Sequence, residues 1–292
     1  MSNQKGRWTL IVHGGAKEIS PEEEADNRSG LREAIAAGQA VLAAGGTAVD
    51  AVETSIRVLE ALPVFNAGYG STLNNVGEVE MCSGLMDGRT LDVGAVGAVK
   101  GVRHPISVAR KMLPHKHVLI AGDGAFMFAR DNHLEICDPA ELITQKEQES
   151  HDTVGAVAFD QNGNLAAGTS TGGLSGQLKG RMGDSAAPGC GYYADNHIGA
   201  VSLSGDGEGI ARLAAAAQIM GAIDRDGPEA AIAKALSQMS RVGGDAGGIA
   251  IDRRGRVGWW HNSQDFAVAM VDSSMDTPGV WLRKEEDIAA HG

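Results

Sequence analysis

The alternation of apolar and polar positions divides the chain into two sets of predicted elements. In the first half, short apolar runs predict strands at residues 8–12, 79–82, 95–99 and 118–121. Apolar positions three and four residues apart predict helices at 27–44, 48–62 and 105–112. Gly14 and Gly15 are expected to end the first strand, because paired glycines interrupt regular structure.

The second half opens with a predicted hairpin, in which a strand at 153–159 and a return strand at 164–169 flank an Asn-Gly turn. Further strands are predicted at 198–203, 247–251 and 257–261, and further helices at 208–222 and 228–239. The glycine-rich segments 169–173 and 180–185 are expected to be loops. Strands and helices therefore come in blocks, which favours an α+β fold with helices covering antiparallel sheets.

Length and charge limit the classes of protein that fit this pattern. The 292 residues are close to the upper limit for one hydrophobic core, so one domain is the simplest interpretation. The net charge of −12, without a cluster of lysine and arginine, argues against a nucleic-acid partner. No apolar run has the length of a membrane span, so no membrane partner is expected.

The three cysteines, Cys82, Cys137 and Cys190, are an odd number and lack the spacing of a metal-binding or redox pair. We therefore expect neither a disulfide framework nor a zinc site, and a reducing compartment fits best. The polar start of the chain does not resemble a secretory signal. These features together predict a cytoplasmic protein.

The most polar segment of the chain, residues 145–150, comes just before the strand that begins at Thr153. A threonine thus stands where an exposed loop meets the sheet. Cleavage of the Asp152–Thr153 bond would give Thr153 a free α-amine with a pKa of about 7.7–8, close enough to neutral pH to act as a base. Such an amine activates the adjacent hydroxyl as a nucleophile. The alternative is an ordinary turn before a strand, which an Asp-Thr pair also forms.

Several motifs follow one another in an order that resembles a known family. They include TVGAV from Thr153, TSTGG from Thr169 and GRMGDS from Gly180. The resemblance extends to residues 12–16, 65–68, 86–88, 205–208 and 243–248. Together these motifs resemble the N-terminal-nucleophile asparaginases, the plant-type L-asparaginase and isoaspartyl peptidase family that includes the glycosylasparaginases. The resemblance covers most of the chain.

The resemblance implies a four-layer αββα sandwich of the Ntn-hydrolase type. It also implies a precursor that cuts itself between Asp152 and Thr153, with residues 1–152 as the α subunit and 153–292 as the β subunit. The two subunits would form one αββα domain, and two copies would assemble as an (αβ)2 heterotetramer. Thr153 is then the nucleophile, and its new α-amine is the base.

Two hydroxyl groups and a glycine are assigned to the nucleophile by the same resemblance. Thr171 would orient the Thr153 hydroxyl from the return strand, although a Ser/Thr turn before two glycines also explains it. Ser204 and Gly205 would form the oxyanion hole, with an N-cap as the alternative for the serine. Most members of the family have threonine at the position of Ser204, and serine lacks the β-methyl group that restricts rotation.

Substrate binding is assigned to Arg181, Asp184 and Gly207. A guanidinium can bind an α-carboxylate through two hydrogen bonds, and a carboxylate three residues later can bind the α-ammonium group. The alternative for Arg181 and Asp184 is a surface ion pair. Asn66 would help to hold the oxyanion of the self-cleavage step, and a simple Asn-Ala-Gly turn is its alternative.

The resemblance also implies a sodium-binding loop. Its ligands would be the main-chain carbonyl groups of Leu59, Glu60, Leu62, Phe65, Ala67 and Tyr69. Carbonyl coordination has no side-chain signature, so this assignment depends on the resemblance. No other cofactor is expected, and His13 and the other histidines are interpreted as structural or exposed.

The predicted function is an autoprocessing amidohydrolase. It would convert L-asparagine to L-aspartate and ammonia and would hydrolyse β-aspartyl dipeptides through a threonine β-aspartyl ester. A glycosylasparaginase is an alternative, since the His-Asp-Thr sequence at 151–153 fits that branch, but the chain shows no secretion signal. A non-catalytic module that binds aspartate-like molecules is a second alternative. All three interpretations predict a small-molecule ligand.

Overall fold

The computed structural model describes residues 6–144 and 153–291, with side chains as far as residue 287. Asp152 and the polar segment 145–150 lie outside the described residues, and so does the predicted cleavage bond. The strands are β1 (Thr9–Lys17), β2 (Met81–Asp87), β3 (Val93–Val99), β4 (Leu119–Ala121), β5 (Val154–Phe159), β6 (Leu165–Thr171), β7 (Tyr192–Asp195), β8 (Gly199–Gly205), β9 (Ala246–Asp252), β10 (Val257–His261), β11 (Asp265–Asp272) and β12 (Gly279–Trp281). The helices are α1 (Glu24–Ala43), α2 (Ala48–Ala61), α3 (Pro105–Met112), α4 (Gly122–Asp131), α5 (Gly207–Leu213), α6 (Ala215–Asp226), α7 (Pro228–Leu236) and α8 (Lys284–His291).

The strands form one large and one small sheet. The large sheet has the order β12-β11-β1-β5-β6-β2-β3-β4, and the small sheet has the order β10-β9-β8-β7. All described pairings between these strands are antiparallel except the edge pairing of β3 with β4, which is parallel. The prediction of an α+β fold is therefore confirmed, and β5 lies in the middle of the large sheet.

Three apolar clusters show how these elements pack. Helices α1, α2 and α3 cover one face of the large sheet, with Leu31 and Ile56 packed in the same cluster as Ala156. A second cluster joins residues of both sheets, including Val157 of β5 and Ile249 of β9. A third lies between the small sheet and helices α6 and α7. Alternate residues of β5 thus belong to different clusters, as the period of two in a strand requires.

The first strand is longer than predicted. It passes through Gly14 and Gly15 and continues to Lys17, with an irregularity in its pairing to β11 between His13 and Gly15. Pairing resumes at once, with Gly15 opposite Ala267. The expectation that the glycines end the strand was wrong, because a partner from the far end of the chain continues the ladder past them.

The helix predicted at 208–222 consists of two helices, α5 and α6. They are separated at Ala214, whose φ angle is +47°. The amide groups of Ala216 and Ala217 donate to the carbonyl groups of Cys190 and Gly189, at 3.0 and 2.9 Å. The carbonyl groups of this loop therefore replace the acceptors that a continuous helix would have supplied from its preceding turn.

Other boundaries also differ from the predictions. The segment predicted as a loop at 169–173 belongs to β6 as far as Thr171, since β2 and β5 pair with it there. The helix predicted at 228–239 ends at Leu236 and continues as the 3-10 turn Ser237–Arg241. Helices α4 and α8 and strands β7, β11 and β12 were not predicted. Among the described helices, none is both long and apolar enough to cross a membrane.

Candidate active site

Thr153 lies at the start of β5 and is buried, with 4% of its surface exposed. Strand β5 pairs with β1 on one side and with β6 on the other. Val154 lies opposite Ser170 in the antiparallel register. One further step in the same register brings Thr153 opposite Thr171, which is also buried. The hairpin therefore brings together the two threonines that the sequence assigned to one site.

Gly155, the second residue of β5, lies where two neighbouring side chains leave no room for a side chain. A Cβ atom at this position would overlap the Ser202 hydroxyl group and the His13 imidazole. The absent side chain allows β8 of the small sheet to approach directly behind Thr153. Burial lowers the pKa of His13 to about 3, so this histidine is neutral and acts as a structural group.

Ser204 lies in β8 and faces Thr153. Its Oγ accepts hydrogen bonds from the main-chain nitrogen atoms of Thr153 at 3.2 Å and Ala16 at 3.0 Å. In this continuous chain the nitrogen of Thr153 is a peptide N–H, and the predicted cleavage would convert it into an α-amine. The N-cap of α5 is Asp206, which accepts from Gly209 at 2.9 Å. Asp206 therefore caps the helix, and the hydroxyl group of Ser204 instead contacts the main-chain nitrogen of Thr153.

Gly205 ends β8 and starts the turn into α5. Its φ angle is +134°, and a Cβ atom there would overlap the carbonyl group of Asp245. The next amide, that of Asp206, donates to the same carbonyl at 2.8 Å. Only glycine fits this conformation without strain. Its role as an oxyanion donor stays a prediction.

Ser185 is a contact of Thr153 that was not predicted from the sequence. Its Oγ lies 3.4 Å from Oγ1 of Thr153, and its carbonyl group accepts from Oγ1 of Thr169 at 2.8 Å. The residue belongs to the GRMGDS motif, which was assigned to substrate binding alone. Its hydroxyl group beside Asp184 was the only available signal, and only the folded chain places it on Thr153.

The residue before it, Asp184, is a buried carboxylic acid. Burial raises its pKa to about 7, and the charges of Glu208 and Asp206 act in the same direction, while Arg181 opposes them. Its Oδ2 accepts no hydrogen bond from the described residues. A buried carboxylate with a spare oxygen is the chemistry that an ammonium group requires.

Arg181 does not form the exposed ion pair with Asp184 that was the alternative to substrate binding. Its Nε and Nη2 atoms donate to the two carboxylate oxygens of Glu208 at 2.8 and 2.6 Å. Its Nη1 donates to Oε1 of Gln177 at 3.2 Å. Only 14% of the arginine side chain is exposed, so the guanidinium group is held inside the site.

Gly207 separates the two charged groups. A Cβ atom at this position would lie 2.6 Å from Oδ1 of Asp184 and 3.2 Å from Nη2 of Arg181. The space beside Gly207 is therefore open to both charges. This arrangement brings together the three residues that the sequence assigned to substrate binding, and it suits a ligand with a carboxylate and an ammonium group.

Asn66 is fully buried beside the end of β6. Its Nδ2 donates to the carbonyl group of Gly173 at 2.7 Å, and its Oδ1 accepts from Thr72 at 3.0 Å. The amide of Gly173 donates to Oγ1 of Thr171 at 3.0 Å. Asn66 and Thr171 thus both hold the turn after β6, which for Thr171 is the structural alternative. This turn lies at the site, so their roles in catalysis stay predictions.

The segment predicted to bind sodium forms a tight loop after α2. The amide of Tyr69 donates to the carbonyl group of Glu60 at 2.7 Å, and a Cβ atom at Gly70 would lie 3.0 Å from the carbonyl of Pro63. The carbonyl groups of Leu59, Glu60 and Leu62 accept main-chain amides of the same segment, and the sodium site stays a prediction. No group of three or more acidic, histidine or cysteine side chains among the described residues is placed to hold a metal ion.

Comparison with known proteins agrees with this geometry. A family model described as "Asparaginase" matches residues 6–151 and 144–278. The chain belongs to the asparaginase family. It is 40% identical to an isoaspartyl peptidase/L-asparaginase of Xenopus laevis over 84% of this chain and 86% of that protein. It is 37% identical to a plant-type L-asparaginase of Pyrobaculum calidifontis over 89% of this chain and 95% of that protein.

A third relative, an isoaspartyl peptidase/L-asparaginase of Danio rerio, is 41% identical over 84% of this chain and 86% of its own length. The two matched segments of the asparaginase model overlap at residues 144–151, just before Thr153. All of the predicted site residues, from Leu59 to Gly207, lie within the matched segments. The resemblance that the motifs suggested is therefore confirmed at the level of the family.

Proposed function

We propose that this member of the asparaginase family hydrolyses the side-chain amide of L-asparagine and the isopeptide bond of β-aspartyl dipeptides. The observation that carries this proposal is the convergence of a buried threonine, at the start of a central strand, with a guanidinium and a carboxyl group around Gly207. Both substrates present the same α-carboxylate and α-ammonium groups. The names of the relatives from Xenopus laevis and Pyrobaculum calidifontis support the same activity.

Maturation is the first reaction in this proposal. The Thr153 hydroxyl attacks the Asp152 carbonyl, the peptide C–N bond breaks, and the resulting ester is hydrolysed. The products are an α subunit of residues 1–152 and a β subunit of residues 153–292. Cleavage converts the peptide nitrogen next to Ser204 into an α-amine. This amine is the general base of the mature enzyme.

In the first half of turnover, the α-amine takes the proton of the Thr153 hydroxyl as Oγ1 attacks the side-chain carbonyl carbon. The negative charge that forms on the carbonyl oxygen accepts hydrogen bonds from the Ser204 hydroxyl and the Gly205 amide. The proton passes to the leaving nitrogen, the C–N bond breaks, and ammonia or an amino acid departs. A β-aspartyl ester of Thr153 remains.

In the second half, the α-amine takes a proton from water as the water oxygen attacks the ester carbonyl. The C–O bond breaks, the proton returns to Oγ1, and L-aspartate is released. During both steps Arg181 binds the α-carboxylate and Asp184 binds the α-ammonium group. Ser185 would restrain the threonine hydroxyl from one side, and Thr171 on the neighbouring strand would help to orient it.

The packing supports three further parts of the proposal. The three apolar clusters are consistent with a four-layer αββα sandwich of the Ntn-hydrolase type. Two cleaved chains would assemble as an (αβ)2 heterotetramer. A sodium ion would be held by the carbonyl groups of the loop after α2, which offers the neutral oxygen donors that a hard cation accepts. Its contribution would be to stabilise that loop, which contains Asn66.

Maturation and substrate turnover test the proposal together. Purified protein should give two bands on a denaturing gel, and N-terminal sequencing of the smaller fragment should begin at Thr153. Mature protein should then release ammonia from L-asparagine and amino acids from β-aspartyl dipeptides. A single uncleaved chain without turnover would support the binding-module alternative. Hydrolysis of glycosylated asparagine in preference to both substrates would support the glycosylasparaginase alternative.

A further inference from the structure

The Arg181 guanidinium has a bidentate partner on α5. Nε and Nη2 donate to the two oxygens of Glu208, at 2.8 and 2.6 Å, in the planar fork geometry that arginine forms with carboxylates. Nη1 donates to Gln177. A guanidinium has five N–H groups, and no other described residue accepts from the remaining two, one on Nη1 and one on Nη2.

The two Nη atoms that carry the unused N–H groups lie beside glycines of the part of the site where a substrate would bind. Cβ atoms at Gly183 and Gly207 would lie 3.1 and 3.2 Å from Nη2. The edge formed by Nη1 and Nη2 therefore borders the space that glycines keep open, while Glu208 occupies the adjacent edge formed by Nε and Nη2. A substrate carboxylate and Glu208 do not need the same pair of donors.

We propose that Glu208 is a positioning residue, which fixes the Arg181 guanidinium so that its Nη1–Nη2 edge faces the α-carboxylate of the substrate. This role rests on the proposed function of the site. Glu208 does not touch the substrate; it acts through the arginine.

The position of Glu208 on a helix fixes the orientation of the Arg181 guanidinium. It is the second residue of α5, directly after Gly207, and Asp206 caps the same helix. One short helix thus supplies both the open space for the ligand and the carboxylate that orients the arginine. The alternative is a surface salt bridge without function, and 55% of the Glu208 side chain is indeed exposed. The arginine is only 14% exposed, which distinguishes this pair from an ordinary surface pair.

The effect of Glu208 on affinity has two parts of opposite sign. Its negative charge repels the substrate carboxylate, whereas its fork removes the rotational freedom of the arginine side chain. The repulsion is screened because the Glu208 side chain is largely exposed. We therefore expect positioning to dominate, so that loss of the carboxylate weakens substrate binding.

The test uses the Glu208→Gln substitution in the mature enzyme. Glutamine keeps the shape of the side chain but replaces one acceptor with an NH2 group, which cannot pair with the arginine. KM for L-asparagine should rise about tenfold, while kcat stays within about twofold of the wild type. Self-cleavage should proceed at the wild-type rate, because it involves no free carboxylate ligand.

Two competitive inhibitors show whether the effect passes through Arg181. L-Aspartate carries the α-carboxylate, and β-alanine is the same molecule without it. In Glu208→Gln the inhibition constant of L-aspartate should rise as much as KM, and that of β-alanine should not change. Glu229→Gln is the matched control, since Glu229 is also the second residue of a helix, is 53% exposed and forms an ion pair 2.9 Å long with Lys284.

Several outcomes would overturn the positioning role. They are an unchanged KM in Glu208→Gln, a fall in kcat alone, or an equal loss of affinity for both inhibitors. If Glu208→Gln does not mature, Glu208→Asp replaces it, with an expected KM between those of the wild type and Gln. Failure of both variants to mature would make Glu208 a folding residue. A wild-type enzyme inactive on L-asparagine would instead contradict the proposed function.

Discussion

The two halves of the candidate site differ in the kind of group that they contain. Around Thr153 the contacts are neutral, and they consist of the hydroxyl groups of Ser204 and Ser185 together with main-chain N–H groups. Around Gly207 the groups are charged, with Arg181 and Asp184 on either side of a small open space. The two halves meet at the consecutive residues Asp184 and Ser185.

This difference separates the two reactions of the proposed enzyme. Self-cleavage attacks a peptide carbonyl that the chain itself presents, so it requires only the neutral half. Turnover of a free amino acid requires the charged half as well, because the substrate must be held by its carboxylate and ammonium groups. Substitutions in the neutral half should therefore change the rates of bond cleavage. Substitutions in the charged half should change substrate binding and the dependence of stability on pH.

The largest effect is expected from Thr153→Ala. Without the hydroxyl group neither the Asp152 carbonyl nor a substrate amide can be attacked, so maturation and turnover should both be lost. Residual turnover should lie at least about 10⁴-fold below that of the wild type. A denaturing gel and an ammonia assay measure the two losses, and Thr153→Ser, which keeps the hydroxyl, is the control. Cleavage before residue 153 in the alanine variant would remove Thr153 from the mechanism.

The next largest effect is expected from Ser204→Ala in matured protein. One lost oxyanion donor typically reduces turnover by about 10²–10³. Ser204→Thr keeps the hydroxyl and should retain activity, since its β-methyl group restricts the same rotamer. Kinetics at saturating L-asparagine measure the effect.

The stability of the Ser204→Ala variant separates catalysis from capping. Since Asp206 caps α5, the removal of Ser204 should not cost the helix its cap, whereas Asp206→Ala should lose about 1 kcal/mol of stability. Thermal melting of both variants checks this contrast. A Ser204→Ala variant that turns over L-asparagine at the wild-type rate would leave Gly205 as the sole proposed donor.

Arg181→Ala should affect the two reactions differently. Loss of the charge-assisted contact to the α-carboxylate should reduce kcat/KM about 10²-fold for L-asparagine and for β-aspartyl dipeptides alike. The rate of self-cleavage should stay at the wild-type value. The two rates are measured on one preparation, by gel and by ammonia release. A variant that fails to mature would show that Arg181 supports the neutral half and that the separation is wrong.

A separate effect, on stability and not on catalytic rate, is a pH dependence that comes from Asp184. Its pKa is raised from 3.8 to about 7 in the folded chain, so between these values the folded state holds a proton that the unfolded state has released. The stabilisation is complete below about pH 4, falls as pH rises, and is gone above about pH 7. The difference amounts to a few kcal/mol.

Asp184→Asn removes this titration. Denaturant midpoints of the wild type and the variant should converge or cross between pH 5 and 7.5. The reason is that only the wild type loses stability as Asp184 releases its proton. Both proteins should be measured without ligand, since a bound ammonium group would favour the ionised carboxylate. Parallel curves for the two proteins would show that the pKa of Asp184 is not raised.

Local sequence specifies much of this molecule. Pro105 and the apolar spacing after it define α3 with its observed bounds, and the Asn-Gly turn places β6 opposite β5. The hairpin register alone predicts that Thr171 lies beside Thr153. Where the determining interaction spans a few residues, the sequence pattern is sufficient.

Tertiary structure decides the features that depend on distant partners. Strand β1 passes Gly14 because β11, about 250 residues later, pairs with it, and α6 begins at Ala215 because a loop at Cys190 accepts its first amides. Sequence offered Ser204 as a possible cap, and the fold assigns the cap to Asp206 instead. Hydrogen bonds satisfied by residues far along the chain outweigh local preferences, since a buried donor or acceptor must find its partner wherever the fold provides one.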